Sequence, residues 1–129
     1  MAKLTQNELL EIFNALKKEI KPYQKGNIKP RIDIEGKYDL WVEKDVMVMG
    51  KPKSEIYLCG LIIQSNYVGF YFFPVYVEPS MKADLAPDLV KSLKGKSCFH
   101  IKKIDDTVLE EVRHAMNVGM EFYKENGWY

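Results

Sequence analysis

Two neighbouring segments, 55–63 and 67–73, restrict the folds open to this chain more than any other feature. Both are rich in β-branched and aromatic residues, and the sequence Gln-Ser-Asn at 64–66 suits a tight turn between them. We therefore predict an antiparallel hairpin. An antiparallel sheet with one solvated face carries polar residues at every second position. These two strands do not alternate in that way, so we expect both faces of the hairpin to be covered.

The period of two assigns the side chains of the hairpin to two faces. On the second strand we predict one face with Tyr67, Gly69, Tyr71 and Phe73 and the other with Val68, Phe70 and Phe72. On the first strand we predict one face with Tyr57, Cys59, Leu61 and Ile63 and the other with Leu58, Gly60 and Ile62. Helices can cover one face. For the second, three coverings remain open: residues 74–96 folding back, a second copy of the chain, or an apolar ligand.

Amphipathic helices are predicted on both sides of the strands. Residues 5–8, Thr-Gln-Asn-Glu, form a capping box before an apolar stripe of helical period, and Pro22 should end that helix. A second capping box at 107–110, Thr-Val-Leu-Glu, is predicted to begin a final helix that Gly127 ends. Strand periodicity also marks 32–42, 46–49 and 97–102, whereas 84–93 suits a short helix.

This order of elements predicts one domain over residues 1–129. Strands collected between terminal helices indicate an α+β fold, with an antiparallel sheet of about five or six strands and the N- and C-terminal helices packed on one face. A chain of 129 residues, 47% of them hydrophobic, is large enough for one such core.

Composition and charge exclude several classes of function. The formal net charge is +1, and 17 of the 19 basic residues are lysine, so no sequence-specific recognition of nucleic acid is expected. The longest nearly apolar stretch, 67–77, is too short to span a bilayer, and no targeting segment is recognisable. We therefore expect a cytoplasmic protein with no membrane partner.

The aromatic strand and a lysine-rich turn supply the candidate binding residues. Lysines around a glycine, next to a serine hydroxyl, suit a small anion, although no phosphate-binding P-loop is present. The predicted ligand-binding residues are Tyr67, Tyr71, Tyr76, Lys94, Lys96, Ser97 and His100. No catalytic residue, metal ligand or cofactor is predicted, because no nucleophile–base pattern stands out. A Cys98–His100 pair on one strand face is the remaining enzymatic hypothesis, and it requires an exposed thiol.

Three segments of the chain form a recognisable set: Val-Gly-Phe-Tyr at 68–71 with Pro74 and Tyr76, Lys-Gly-Lys-Ser-Cys-Phe at 94–99, and the helix ending near Gly127 and Trp128. In these segments the chain resembles the YdhG-like family, small bacterial domains of unknown function. The resemblance covers roughly residues 30–128 and implies a compact α+β fold. Some members are described as frataxin-like iron chaperones, which implies a role for acidic residues of the first helix and first strands. In this chain those residues are Glu8, Glu11, Glu19, Asp33, Glu35 and Asp39.

Two functions follow as expectations. The first is a non-enzymatic module that binds a small or anionic ligand, or a second copy of the chain as a homodimer, on the aromatic sheet face. The alternative is a frataxin-like iron-binding protein that uses the acidic residues named above, since hard cations prefer clustered carboxylates.

Overall fold

A computed structural model describes residues 3–129. It confirms the α+β class and a mostly antiparallel sheet with helices at both ends of the chain. The helices are α1 (Gln6–Ile20), α2 (Phe73–Val77), α3 (Pro87–Lys91) and α4 (Asp106–Glu125), with short 3-10 helices at Lys21–Tyr23 and Pro79–Asp84. The strands are β1 (Ile28–Lys29), β2 (Asp33–Ile34), β3 (Lys37–Val42), β4 (Val46–Val48), β5 (Lys51–Lys53), β6 (Ile56–Ile63), β7 (Val68–Phe72), β8 (Leu93–Lys94) and β9 (Cys98–Ile101).

The main sheet has the order β1-β3-β6-β7-β9-β8, with β2 also paired to β3, and every pair is antiparallel. That makes seven strands where about five or six were expected, because β1, β2 and β8 are only two residues long. Strands β4 and β5 form a separate hairpin. The predicted tight turn between β6 and β7 is confirmed, since Gln64 N donates to the carbonyl of Tyr67 at 2.9 Å.

Both long helices pack on the same face of the sheet, which we call the inner face. Its side chains are fully buried and include Leu40, Leu61, Phe70, Phe72 and Phe99. Helices α1 and α4 lie side by side and are joined by a bidentate ion pair in which Arg113 donates to Glu19 at 3.0 and 3.1 Å. The predicted placement of both terminal helices on one face is therefore confirmed.

The two predicted capping boxes have different outcomes. The first is confirmed: Glu8 N donates to Thr5 Oγ1 at 3.1 Å, and Thr5 N donates to Glu8 Oε1 at 2.9 Å. The second is wrong. Helix α4 begins at Asp106, and the carboxylate of Asp105 accepts from the N–H of Val108 at 2.8 Å. An aspartate at this position caps as well as threonine and also complements the helix dipole.

A β-bulge in β6 overturns part of the predicted face assignment. Leu40 of β3 lies opposite Cys59, but Trp41 lies opposite Tyr57, so Leu58 has no partner in β3. The extra residue shifts the alternation by one position. As a result Leu58 is fully buried with Cys59, whereas Tyr57 lies with Trp41 on the other side of the sheet, which we call the outer face.

Residues 74–91 extend the helical layer. A Cβ at Gly119 of α4 would lie 2.9 Å from Cγ of Pro74, and the carbonyl of Asp84 accepts from His114 Nε2 of α4 at 2.8 Å. Strand β7 ends at Phe72, before the predicted Phe73, because α2 begins there with proline in its first turn. Of the three coverings left open for the second face of the hairpin, the folding back of residues 74–96 is therefore not the one adopted. No helix within residues 3–129 is long and apolar enough to cross a membrane.

Candidate functional site: the outer face of the sheet

Two rows of side chains cross the outer face from β3 to β9, as the strand register requires. One row runs Asp39, Gly60, Tyr71, Cys98 and ends on Lys94 of β8, and the next runs Lys37, Ile62, Gly69 and His100. The non-glycine side chains between the edges are half-buried, in contrast to the fully buried inner face. Apolar and aromatic surface is therefore accessible along this side of the sheet.

Glycines allow the tyrosines of this face to lie flat on the sheet. A Cβ at Gly60 would fall well inside 3.0 Å of the hydroxyl of Tyr57, and a Cβ at Gly69 would lie 2.9 Å from Cε1 of Tyr71. Each ring thus occupies the space above a glycine. The side chains of Tyr57 and Tyr71 therefore provide part of the cover that the sequence predicts for this face.

The aromatic surface continues to the end of the sheet at α2. Ring centroids are separated by 5.1 Å for Trp41 and Tyr57, by 6.2 Å for Tyr57 and Phe73, and by 5.4 Å for Phe73 and Tyr76. The first two pairs are edge-to-face and the third is stacked, which are the geometries that aromatic pairs prefer. These contacts hold the rings in place, and each residue remains partly exposed.

A second aromatic unit lies at the β9 side. The rings of Tyr67 and His100 stack with centroids 3.7 Å apart and planes within 8°. Burial lowers the pKa of His100, and the positive charges of Lys94 and Lys102 lower it further. The imidazole is therefore held in its neutral form at neutral pH and acts as a flat aromatic surface next to two ammonium groups.

The polar groups of this face are few. Gln64 Nε2 donates to the hydroxyl of Tyr71 at 3.2 Å, which fixes the orientation of that ring. Burial raises the pKa of the Cys98 thiol, so the neutral form of this group is favoured. No hydrogen bond joins Cys98 and His100 in the described part of the chain. The arrangement lacks the activated thiolate that the enzymatic hypothesis requires.

Charge is distributed unequally between the two edges of the outer face. At the β1–β3 edge, Arg31 pairs with both Glu43 and Glu55, and Lys29 pairs with Glu43 at 3.3 Å. At the β8–β9 edge, the exposed Lys94 and Lys102 have no ion-pair partner among residues 3–129. The first edge is internally neutralised, and the second presents free positive charge next to the Tyr67–His100 stack.

The structure places the seven predicted ligand-binding residues at three locations. Four of them lie on the outer face: Tyr67, Tyr71, Lys94 and His100. Ser97 is half-buried in the β8–β9 turn, where its carbonyl accepts from Phe72 N at 2.9 Å. Tyr76 and Lys96 meet at the end of the sheet, with the ammonium nitrogen 5.9 Å from the ring centroid.

Four residues at this face are absent from the predicted ligand-binding set: Trp41, Tyr57, Gln64 and Lys102. For Trp41 and Tyr57, the only signal in the sequence is an aromatic residue on each of two paired strands. The bulge at Leu58 that brings them together depends on strand pairing and has no local signature.

The acidic residues of the iron hypothesis do not converge. Glu8 caps α1, Glu19 pairs with Arg113, and Asp33 pairs with Lys17. Asp39 accepts from the backbone N–H of Arg31 and Ile32 at 2.7 and 2.9 Å, and from Trp41 Nε1 at 3.2 Å. Within residues 3–129 no group of three or more His, Cys, Asp or Glu side chains is arranged to hold a metal ion. Four of the six carboxylates thus act singly as part of a cap, as ion-pair partners or as an acceptor, whereas Glu11 and Glu35 are exposed, with no side-chain hydrogen bond or ion pair within residues 3–129.

Comparisons of the chain with protein-family models, with curated proteins and with solved structures found no match. The functional assignment therefore depends on the geometry of the outer face.

Proposed function

We propose that this protein is a non-enzymatic binding module whose outer sheet face takes an anionic ligand that carries a planar ring. One observation carries the proposal: an accessible aromatic surface borders two lysines, Lys94 and Lys102, that have no ion-pair partner in the described chain. A planar ring can stack on Tyr71 or on the Tyr67–His100 pair. The anionic group of the same ligand then lies near the ammonium groups at the β8–β9 edge.

The chemistry of the face supports binding over catalysis. The group that would act as nucleophile, the Cys98 thiol, is favoured in its neutral form because burial raises its pKa. No hydrogen bond joins it to His100, the base that would have to take its proton. We also propose kinship with the YdhG-like family, supported by the α+β architecture that the resemblance implies. A cytoplasmic location belongs to the same proposal and rests on the sequence.

A matched set of three ligands tests the proposal. Two-dimensional NMR of the uniformly ¹⁵N-labelled protein is recorded with 2-naphthoate, with its uncharged amide 2-naphthamide, and with cyclohexanecarboxylate, which has the charge without the aromatic ring. We expect saturable shifts of the Gly69, Cys98 and His100 amides with naphthoate. Loss of either feature should weaken binding by about two- to fivefold, since each contributes on the order of 0.5–1 kcal/mol.

Charge variants complete the test. Lys94→Gln should weaken naphthoate binding by about threefold at low salt. Lys18→Gln, at an exposed position of α1 on the opposite side of the sheet, is the matched control and should have no effect. Equal binding of naphthoate and naphthamide, or shifts confined to α1 and α4, would contradict the proposal. Concentration-dependent broadening of the outer-face resonances, without a response to naphthoate, would instead identify a second copy of the chain as the occupant.

A further inference from the structure

A cleft at the end of the sheet is separate from the two rows of the outer face. Three segments form it: the tip of the β4–β5 hairpin, helix α2 with the turn that follows it, and the turn between β8 and β9. Its volume is about 410 Å³, and its lining residues are Met49, Val75, Tyr76, Pro79, Lys82, Gly95 and Lys96.

Two large apolar side chains at this cleft, Met49 and Tyr76, are exposed. Met49 is 61% exposed and Tyr76 is 40% exposed, although one belongs to a hairpin and the other to a helix. The β4–β5 hairpin is anchored to the C-terminal end of the chain, because Trp128 Nε1 donates to the carbonyl of Met47 at 2.9 Å. Single exposed apolar residues are common, but two large ones that face a shared cleft from different elements indicate a contact surface.

The backbone at Met49 is a second, independent observation. Val48 pairs with Lys51, so Met49 and Gly50 are the two residues of the hairpin turn, and both have positive φ, +50° and +79°. The first position of such a turn favours Asn, Asp or Gly, and a long side chain there has a conformational cost. The flexible, polarizable side chain of Met49 thus lies at the mouth of the cleft, although its backbone conformation makes the hairpin turn less stable.

The rim of the cleft is positively charged. Lys82 and Lys96 are exposed, and within residues 3–129 neither has a carboxylate at ion-pair distance. The ammonium of Lys96 lies 5.9 Å from the centroid of the Tyr76 ring. An apolar floor below two free cations is complementary to an apolar side chain flanked by carboxylates.

We propose that this cleft docks an acidic segment of a partner protein, which inserts one apolar side chain between Met49 and Tyr76 and places carboxylates against Lys82 and Lys96. The site is distinct from the ligand surface around Tyr71 and His100. Tyr76 and Lys96, which the sequence analysis assigns to the ligand surface, belong to this docking cleft instead.

Methyl NMR of the full chain labelled at the methionine ε-carbons tests this proposal directly. The probe is a capped synthetic peptide with one phenylalanine between two pairs of glutamates. We expect a saturable shift of the Met49 methyl resonance, whereas Met116 and Met120, on the buried face of α4, serve as internal controls. A peptide with alanine in place of the phenylalanine, and one with lysines in place of the glutamates, should each bind about fivefold more weakly or not at all.

Variants separate binding from folding. Met49→Asn suits the positive φ of the turn, so we expect a melting temperature within roughly 3 °C of wild type and peptide binding weakened by about fivefold. Lys82→Gln should weaken peptide binding by about threefold at low salt, and Lys91→Gln on α3 is the matched control. Three results would overturn the proposal. The first is that the Met49 methyl resonance does not respond to the peptide. The second is that it responds to phosphatidylserine vesicles but not to the peptide, and the third is that its shift depends on protein concentration alone.

Discussion

A single methyl group added at Gly60 gives the sharpest test of how the outer face is built. The Cβ of Gly60→Ala would clash with one atom, the hydroxyl oxygen of Tyr57, and the next nearest atoms, the carbonyl oxygen of Tyr38 and Cζ of Tyr57, lie at 3.4 Å. A distance of 3.4 Å is an ordinary contact. The Tyr57 hydroxyl makes no hydrogen bond to another described residue, so Tyr57→Phe removes the clashing atom and little else.

The expected magnitudes follow from two opposing effects. Overpacking in a well-packed region costs about 1–3 kcal/mol. Replacing glycine by alanine within a strand gains roughly 0.5–1 kcal/mol, because the unfolded chain loses conformational freedom. In the wild-type background we therefore expect Gly60→Ala to lower the free energy of unfolding by about 1 kcal/mol. In the Tyr57→Phe background the same substitution should raise it by about 0.5 kcal/mol.

Urea unfolding followed by circular dichroism measures the four proteins of this double-mutant cycle. The coupling free energy between positions 57 and 60 is expected to be about 1.5 kcal/mol, with a change of sign between backgrounds. If Gly60→Ala had the same effect with and without the Tyr57 hydroxyl, the ring would not lie over the glycine. The assignment of Tyr57 to the outer face, and with it the bulge at Leu58, would then be refuted.

Three further predictions concern His100, Cys98 and Gly119. An NMR titration should give His100 a pKa below the ordinary 6.5, and Lys94→Gln should raise this pKa, whereas Lys18→Gln should leave it unchanged. Because the folded state disfavours the imidazolium, the contribution of His100 to stability is present above pH 6.5 and is lost as the pH falls through the pKa of the folded state. A measured His100 pKa at or above 6.5 would show that burial and the two lysines do not control this group. Burial raises the pKa of the Cys98 thiol, so its reaction with a disulfide reagent at pH 8 should be roughly tenfold slower than that of glutathione. The fully buried Cys59 should react only after the protein unfolds. A fast reaction of Cys98 would support the enzymatic hypothesis. Gly119→Ala should destabilise the protein by about 1–2 kcal/mol in urea unfolding although alanine favours helices, because its Cβ would lie 2.7 Å from Cζ of Phe72, whereas exposed Glu121→Ala should change stability by less than about 0.5 kcal/mol.

The elements of the fold were predictable where local chemistry decides them. The capping box at Thr5 and the turn at 64–66 involve residues within three positions of each other, and both are confirmed. The start of α4 was misplaced by local reasoning. Asp105 and Thr107 are both good caps, and the capping-box pattern at 107–110 favoured Thr107, whereas the folded chain uses Asp105.

The candidate site was predictable only in part, and the reason lies in strand register. Alternation correctly groups Gly69 with Tyr71 along β7 and Cys98 with His100 along β9, and the pairing of the two strands makes these the same face. Alternation fails on β6, because the bulge at Leu58 turns Tyr57 to the outer face. A bulge changes the pairing between strands and leaves no mark on the composition of either strand.

The sequence by itself determined the α+β class, the hairpin at the centre of the sheet and the presence of aromatic residues on both of its faces. These features depend on periodicity and on contacts between near neighbours in the chain. Only the tertiary structure decided what covers each face. It packs residues 74–91 beside α4, leaves the outer face to its own tyrosines and glycines, and moves Tyr76 and Lys96 to a cleft with Met49. Those outcomes depend on the relative stability of alternative long-range packings, which no local pattern encodes.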